Sequence, residues 1–105
     1  LKIETCPQAL ELLQERSLSG EPRSGDLAYS LAGQLLVAQL NLEAGAESCL
    51  GVVKAVLGAQ ELLGELGFDG ERALLSPGNP AVEPRAEAEL YMYALQEYNR
   101  GELCR

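Results

Sequence analysis

From Leu27 to Leu42 the chain runs sixteen residues without a charged side chain, and this stretch constrains the fold more than any other. Asp26 stands immediately before it, where a carboxylate accepts an orphaned backbone N–H and sits at the positive end of a helix dipole. Gly45 follows as a helix stop. Leu27, Leu31, Leu35, Ala38 and Leu42 recur at intervals of three or four, and Ala28, Ala32, Leu36 and Leu40 widen the stripe until no charged face is left. The pattern predicts a central helix over about Leu27 to Glu43, the most buried of the molecule. It does not predict a membrane span: a bilayer needs roughly 20 apolar residues, and this stretch carries Tyr29, Ser30, Gln34, Gln39 and Asn41.

Three more helices are expected around it. Thr5 and Gln8 form a capping-box pair with Pro7 in the first turn, which predicts a helix from about Cys6 to Arg16. Its apolar face is Ala9, Leu10 and Leu13 with Leu12 at the edge, and Glu11 and Glu15 look outward. The tract Ser17 to Gly25 reads as a surface loop. A third helix is expected from Ala46 or Glu47 to Gly67, with Val52, Val53, Val56, Leu57, Ala59, Gln60 and Leu63 among its residues. Gly51 and Gly58 share one side of it, and each glycine costs about 1 kcal/mol against alanine in an exposed helix. Close packing against Ala32 or Gly33 of the central helix is the expected compensation. Phe68 to Pro84, with prolines at 77, 80 and 84, predicts a long loop. The last helix then starts at Pro84 and ends at Gly101, with Ala88, Tyr91, Leu95 and Tyr98 facing the core and Tyr93 partly exposed. The fold class is all-α: a compact orthogonal or up-down bundle of about four helices in one domain, 1–105, with a long Gly/Pro-rich loop before the last helix.

Composition narrows the chemistry. Sixteen acidic and eight basic residues give a net charge of −8, with no histidine and no tryptophan. An acidic surface repels a phosphate backbone, so no nucleic-acid partner is expected. Without histidine the usual general base near neutral pH, the usual zinc ligand and the base of Ser and Cys triads are all missing. No catalytic residue, cofactor or metal is assigned. Glu61 and Glu65, and Glu83 and Glu87, lie one helical turn apart, and "FDGE" brings Asp69 near Glu71, but no Asp-rich loop of calcium-binding spacing accompanies them. They read as a solvated acidic surface. Asn41 and Asn99 read as structural amides that satisfy loop or helix-end backbone groups, with Gln34, Gln39 and Gln60 at helix edges. Cys6, Cys49 and Cys104 lack any CxxC spacing, which leaves a disulfide or plain burial open and one cysteine over.

Two longer motifs carry a resemblance. "GDLAYSLAGQLLVAQLNLEAGA" at Gly25 to Ala46, with Cys49 shortly after, and "LQEYNRGELC" at Leu95 to Cys104 resemble the patterns LAxQLxAAxLNxxxGA and LDxYNxGxxxxC. These belong to the helical C-terminal part of a domain of unassigned function found in secreted and cell-surface multidomain proteins, mainly bacterial. The likeness runs from about residue 9 onward. The family's upstream aromatic opening, of the type GxWKNH, has no counterpart here, so the chain is expected to be a C-terminal domain or fragment of a longer secreted chain, or a divergent member. The resemblance implies an extracellular, non-catalytic module with Cys49 and Cys104 as disulfide partners. Cys6 is then free or paired outside the segment; the competing arrangements are a Cys6–Cys104 bridge and a wholly reduced protein.

The expected function is therefore a structural or protein–protein interaction module of an extracellular or cell-surface assembly. Its partner is a protein, another domain or subunit or a second copy in a homo-oligomer, with no membrane insertion. Such a module is expected to lack any cavity larger than a few waters. The alternatives are a small-molecule or peptide binder with a groove between the second, third and fourth helices, and a cytosolic helical adaptor.

Overall fold

The computed structural model describes residues 5–23, 25–72, 74–75 and 82–104, residues 82 and 83 through their backbone alone. Four helices follow in order: α1 (Cys6–Leu13), α2 (Leu27–Glu43), α3 (Leu50–Leu66) and α4 (Val82–Asn99). No strand occurs among the described residues, and the all-α four-helix class expected from the sequence is the one observed. α2 packs against each of the other three helices, α4 packs against α2 and α3, and α1 touches α2 alone.

The central helix has the predicted bounds. Asp26 caps it by accepting the Ala28 N–H at 3.0 Å, and Ala28, Tyr29, Leu31, Ala32, Leu35 and Ala38 are buried along it. With Val52, Leu75 and Leu95, all fully buried, they form the centre of a core that also takes in Leu62, Leu63 and Phe68. A large apolar side chain removed from water in this way stabilises the fold by about 1.5–3 kcal/mol before chain entropy is subtracted.

α1 has the expected reciprocal cap, with Gln8 N–H donating to Thr5 Oγ1 and Thr5 N–H donating to Gln8 Oε1, both at 3.3 Å. It stops at Leu13, short of Arg16, because Glu15 turns into the left-handed region at φ 54° and the chain folds back on itself. Ser17 N–H then donates to Glu21 O and Arg23 N–H to Glu15 O, each at 2.8 Å. Having one neighbouring helix, α1 buries Leu12 only; Leu10 and Leu13, expected in the core, are exposed. The outward direction expected for Glu11 and Glu15 is also corrected. Glu11 Oε2 is buried 3.7 Å from Arg16 Nε, and Glu15 Oε1 accepts the Ser30 hydroxyl of α2 at 2.5 Å.

α3 begins at Leu50, later than expected, since Cys49 is still extended at φ −144°. It ends where Gly67 adopts φ 70°, a left-handed cap that suits glycine. The glycine packing differs from expectation. A β-carbon at Gly58 would collide with the Tyr91 ring of α4, and one at Gly51 would touch Leu103 at 3.6 Å. The glycine side of α3 therefore admits α4 and the C-terminal turn, whereas Gly33 of α2 lies against the Leu12 carbonyl of α1. α4 starts at Val82, so Pro84 falls inside its first turn, where a missing N–H removes no helix bond. Ala88, Leu95 and Tyr98 are buried, Tyr91 is half-buried, and Tyr93 is exposed. The turn expected at Pro77 and Pro80 lies outside the described residues.

The two long connections pack on each other. Leu74 N–H donates to Asp26 Oδ2 at 2.7 Å and Leu75 N–H to Asp26 Oδ1 at 3.0 Å, while Leu27 N–H donates back to Leu75 O. Leu18 N–H donates to Gly70 O, Tyr29 Oη to Arg72 O, and the Arg23 guanidinium to Glu71 O. Phe68 meets the Tyr29 ring edge-on at 4.9 Å. Ser17 is fully buried in this contact, so the tract read as a surface loop is partly core.

Candidate interaction surface

α3 is apolar nearly all round, and packing has to choose which side is covered. Val52, Ala55, Ala59, Leu62 and Leu63 are buried. Leu50, Val53 and Leu57 are left 69 %, 40 % and 59 % exposed. Their spacing of three and four sets them in one row on the helix, and Gln60 and Gly64 continue that row without a charge. Lys54 and Glu61 lie along one edge of it. On α4, Leu90 and Tyr93 are also exposed, 66 % and 55 %. Val53 and Leu57 stand among the apolar residues expected of this helix, but their exposure in one row with Leu50 was not foreseen. Its signal is the 50, 53, 57 interval, which apolar residues on every side of the helix obscure.

Beside this row an open groove of about 360 Å³ lies between α1, α2 and α3, with Leu12, Leu35, Leu36, Leu63 and Phe68 as its apolar lining and Gln39 and Gln60 as polar groups. At roughly 30 Å³ per water it exceeds a few waters, so the expectation of a module without such a space is not met. Nor is it the groove expected between the second, third and fourth helices, because no α4 residue lines it.

The residues singled out in the sequence fall into distinct places. Cys49 and Cys104 are joined in a disulfide with Cα atoms 5.5 Å apart, which ties the start of α3 to the turn after α4. Cys6 is a free, exposed thiol at the start of α1. Asn41 and Asn99 come together: Asn41 Nδ2 donates to Asn99 Oδ1 at 3.2 Å, and Asn99 Nδ2 donates to Gln34 O at 3.1 Å and Gln34 Oε1 at 2.8 Å. They link α2 to α4 through a carbonyl within α2, where satisfaction of a helix end or loop was expected. Tyr98 Oη donates to Glu47 O at 2.9 Å, which fixes the segment that leads into the disulfide.

Asp69 is engaged by its own loop. Glu71 N–H and Arg72 N–H donate to its Oδ1 at 2.9 and 3.1 Å, and Arg72 Nε to its Oδ2 at 3.1 Å. The two backbone donors, helped by the guanidinium, hold its carboxyl down at about 2. Glu71 accepts the Ser19 hydroxyl at 2.7 Å. Among the described residues no group of three or more Cys, Asp or Glu is placed to hold a metal ion, and Glu61, Glu65 and Glu87 are exposed. The Glu83 side chain lies outside the description. Burial raises the Tyr29 phenol above its ordinary range, and Arg23, 5.9 Å over the ring, pulls it the other way.

No described helix is long and apolar enough to cross a membrane. Comparison with protein-family models, curated proteins and solved structures finds no match to this chain.

Proposed function

We propose that this domain is a non-catalytic interaction module of an extracellular or cell-surface assembly, and that it docks to protein through the outward face of α3. The observation that carries the reading is the uncharged row Leu50, Val53 and Leu57, held in water on a helix whose other side is core. Contiguous exposed apolar surface of this kind marks contact sites, and bulky side chains on a rigid helix lose little freedom when covered. The Cys49–Cys104 bridge supports the oxidising setting, since disulfides persist outside the reducing cytosol.

The test is quantitative capture from secreted and surface fractions of the source cells, with wild-type and Leu57→Asp baits of matched circular dichroism. A protein retained by the wild type and lost by the variant is expected; identical captured sets overturn the reading. The groove beside α3 favours a second reading, binding of a small apolar ligand with a hydrogen-bonding group for Gln39 or Gln60. Amide-shift mapping with medium-chain fatty acids and short apolar peptides is then expected to move Leu36, Gln60 and Phe68 first. Shifts spread over the whole surface overturn it.

A further inference from the structure

We infer that the occupant of the α3 face is a second copy of this chain, with the two α3 helices antiparallel about a two-fold axis. The inference rests on the reading of the domain as an interaction module and names the partner of that surface.

Charge complementarity along α3 carries it. Lys54 is the only cation on the helix, it is exposed, and it makes no ion pair among the described residues. Glu61 follows seven residues later, two turns along the same edge of the row. A two-fold axis between the two helices, perpendicular to them and level with the step from Leu57 to Gly58, brings Lys54 of each copy level with Glu61 of the other and forms the pair twice. A parallel two-fold arrangement would set this edge of one copy beside the opposite edge of the other, so the Lys54–Glu61 pair would not form.

The shape agrees with the antiparallel choice. That axis places the two Leu57 side chains at the centre and brings Leu50, the most exposed of the row, to within one residue of Gly64 on the other copy. A β-carbon at Gly64 would meet nothing within 4 Å, so the helix is bare there and admits a leucine. The interface is isologous, the commonest closed arrangement for soluble oligomers. The net charge of −8 opposes contact between copies through their acidic surfaces, and this uncharged row is a place where like surfaces meet with less repulsion.

The test is sedimentation equilibrium of the purified, oxidised chain over a wide concentration range. A monomer–dimer equilibrium is expected, and Leu57→Asp abolishes it with circular dichroism unchanged. Lys54→Glu weakens the dimer about tenfold through two lost bridges and two new repulsions, and adding Glu61→Lys restores it. A monomer at every concentration, a dimer indifferent to Leu57→Asp, or a double charge swap that fails to recover the loss overturns the pairing. Failure here is distinct from failure of the module reading, because the Leu57→Asp capture experiment still reports whether a different protein uses the face.

Discussion

Replacing Asp26 by alanine is expected to be the most damaging single change to a polar residue in this domain. Asp26 is 2 % exposed and its carboxylate accepts three backbone N–H groups, from Ala28, Leu74 and Leu75. Loss of the helix cap alone costs about 1 kcal/mol. Leaving the Leu74 and Leu75 donors without an acceptor adds about 1–2 kcal/mol each, since Leu75 is fully buried and its N–H loses the partner that replaced water. The total is about 3–5 kcal/mol, a large part of the 5–15 kcal/mol typical of a folded domain. Asp26→Ser separates the two roles, because a serine hydroxyl still caps α2 but has a single oxygen to offer and so cannot hold all three donors; about 2–3 kcal/mol is expected. The assay is urea unfolding at neutral pH with the slope compared between variants, joined to amide exchange at Leu74 and Leu75. If Asp26→Ala costs no more than about 1 kcal/mol, the aspartate is only a cap and the assigned clamp on the second loop is wrong.

Two glycines of α3 are expected to respond in opposite directions to alanine in thermal melts. Gly58→Ala drives a methyl into the Tyr91 ring and destabilises by about 1–3 kcal/mol, whereas Gly64→Ala meets open space and stabilises by up to about 1 kcal/mol. Removing the disulfide by Cys49→Ser with Cys104→Ser frees a loop spanning 55 residues and is expected to cost about 4 kcal/mol by chain entropy, read as a fall in the urea midpoint. For Asp69 the folded pKa is depressed, so its contribution to stability is present above the ordinary carboxylate range near 3.8 and is lost as pH falls through about 2. Carboxyl-carbon NMR titration is expected to place its midpoint near 2, and Asp69→Asn to flatten the stability profile over that window; a midpoint near 4 refutes the hydrogen bonds assigned from Glu71 and Arg72.

Local signals were legible wherever one residue type has one physical answer. The Thr5 and Gln8 cap, the Asp26 start of α2, the stop at Gly67 and the partial exposure of Tyr93 each follow from neighbours within a few positions. The pairing of Cys49 with Cys104 came from the likeness of two motifs, since spacing left the connectivity open. Leu10 and Leu13 misled because α1 has only one helix to lean on, a fact of assembly rather than of pattern. The exposed row of α3 was obscured for a similar reason. On α3 leucine, valine and alanine occur on every side, and periodicity alone does not say which of them α2 and α4 will cover.

What the sequence by itself determined is the set of elements: four helices, the caps of α1 and α2, the stop at Gly67, and a central helix over Leu27–Glu43. Tertiary structure alone decided the meeting of distant groups. Asp26 became a clamp because the backbone of residues 74 and 75 arrives within 3.0 Å of it. Gly58 became the seat of Tyr91, and Asn99 joined Asn41 and Gln34 across two helices. Helix propensity and capping act over a few residues of chain, whereas these contacts depend on which faces win the competition for burial, a choice that is settled only when all four helices pack together.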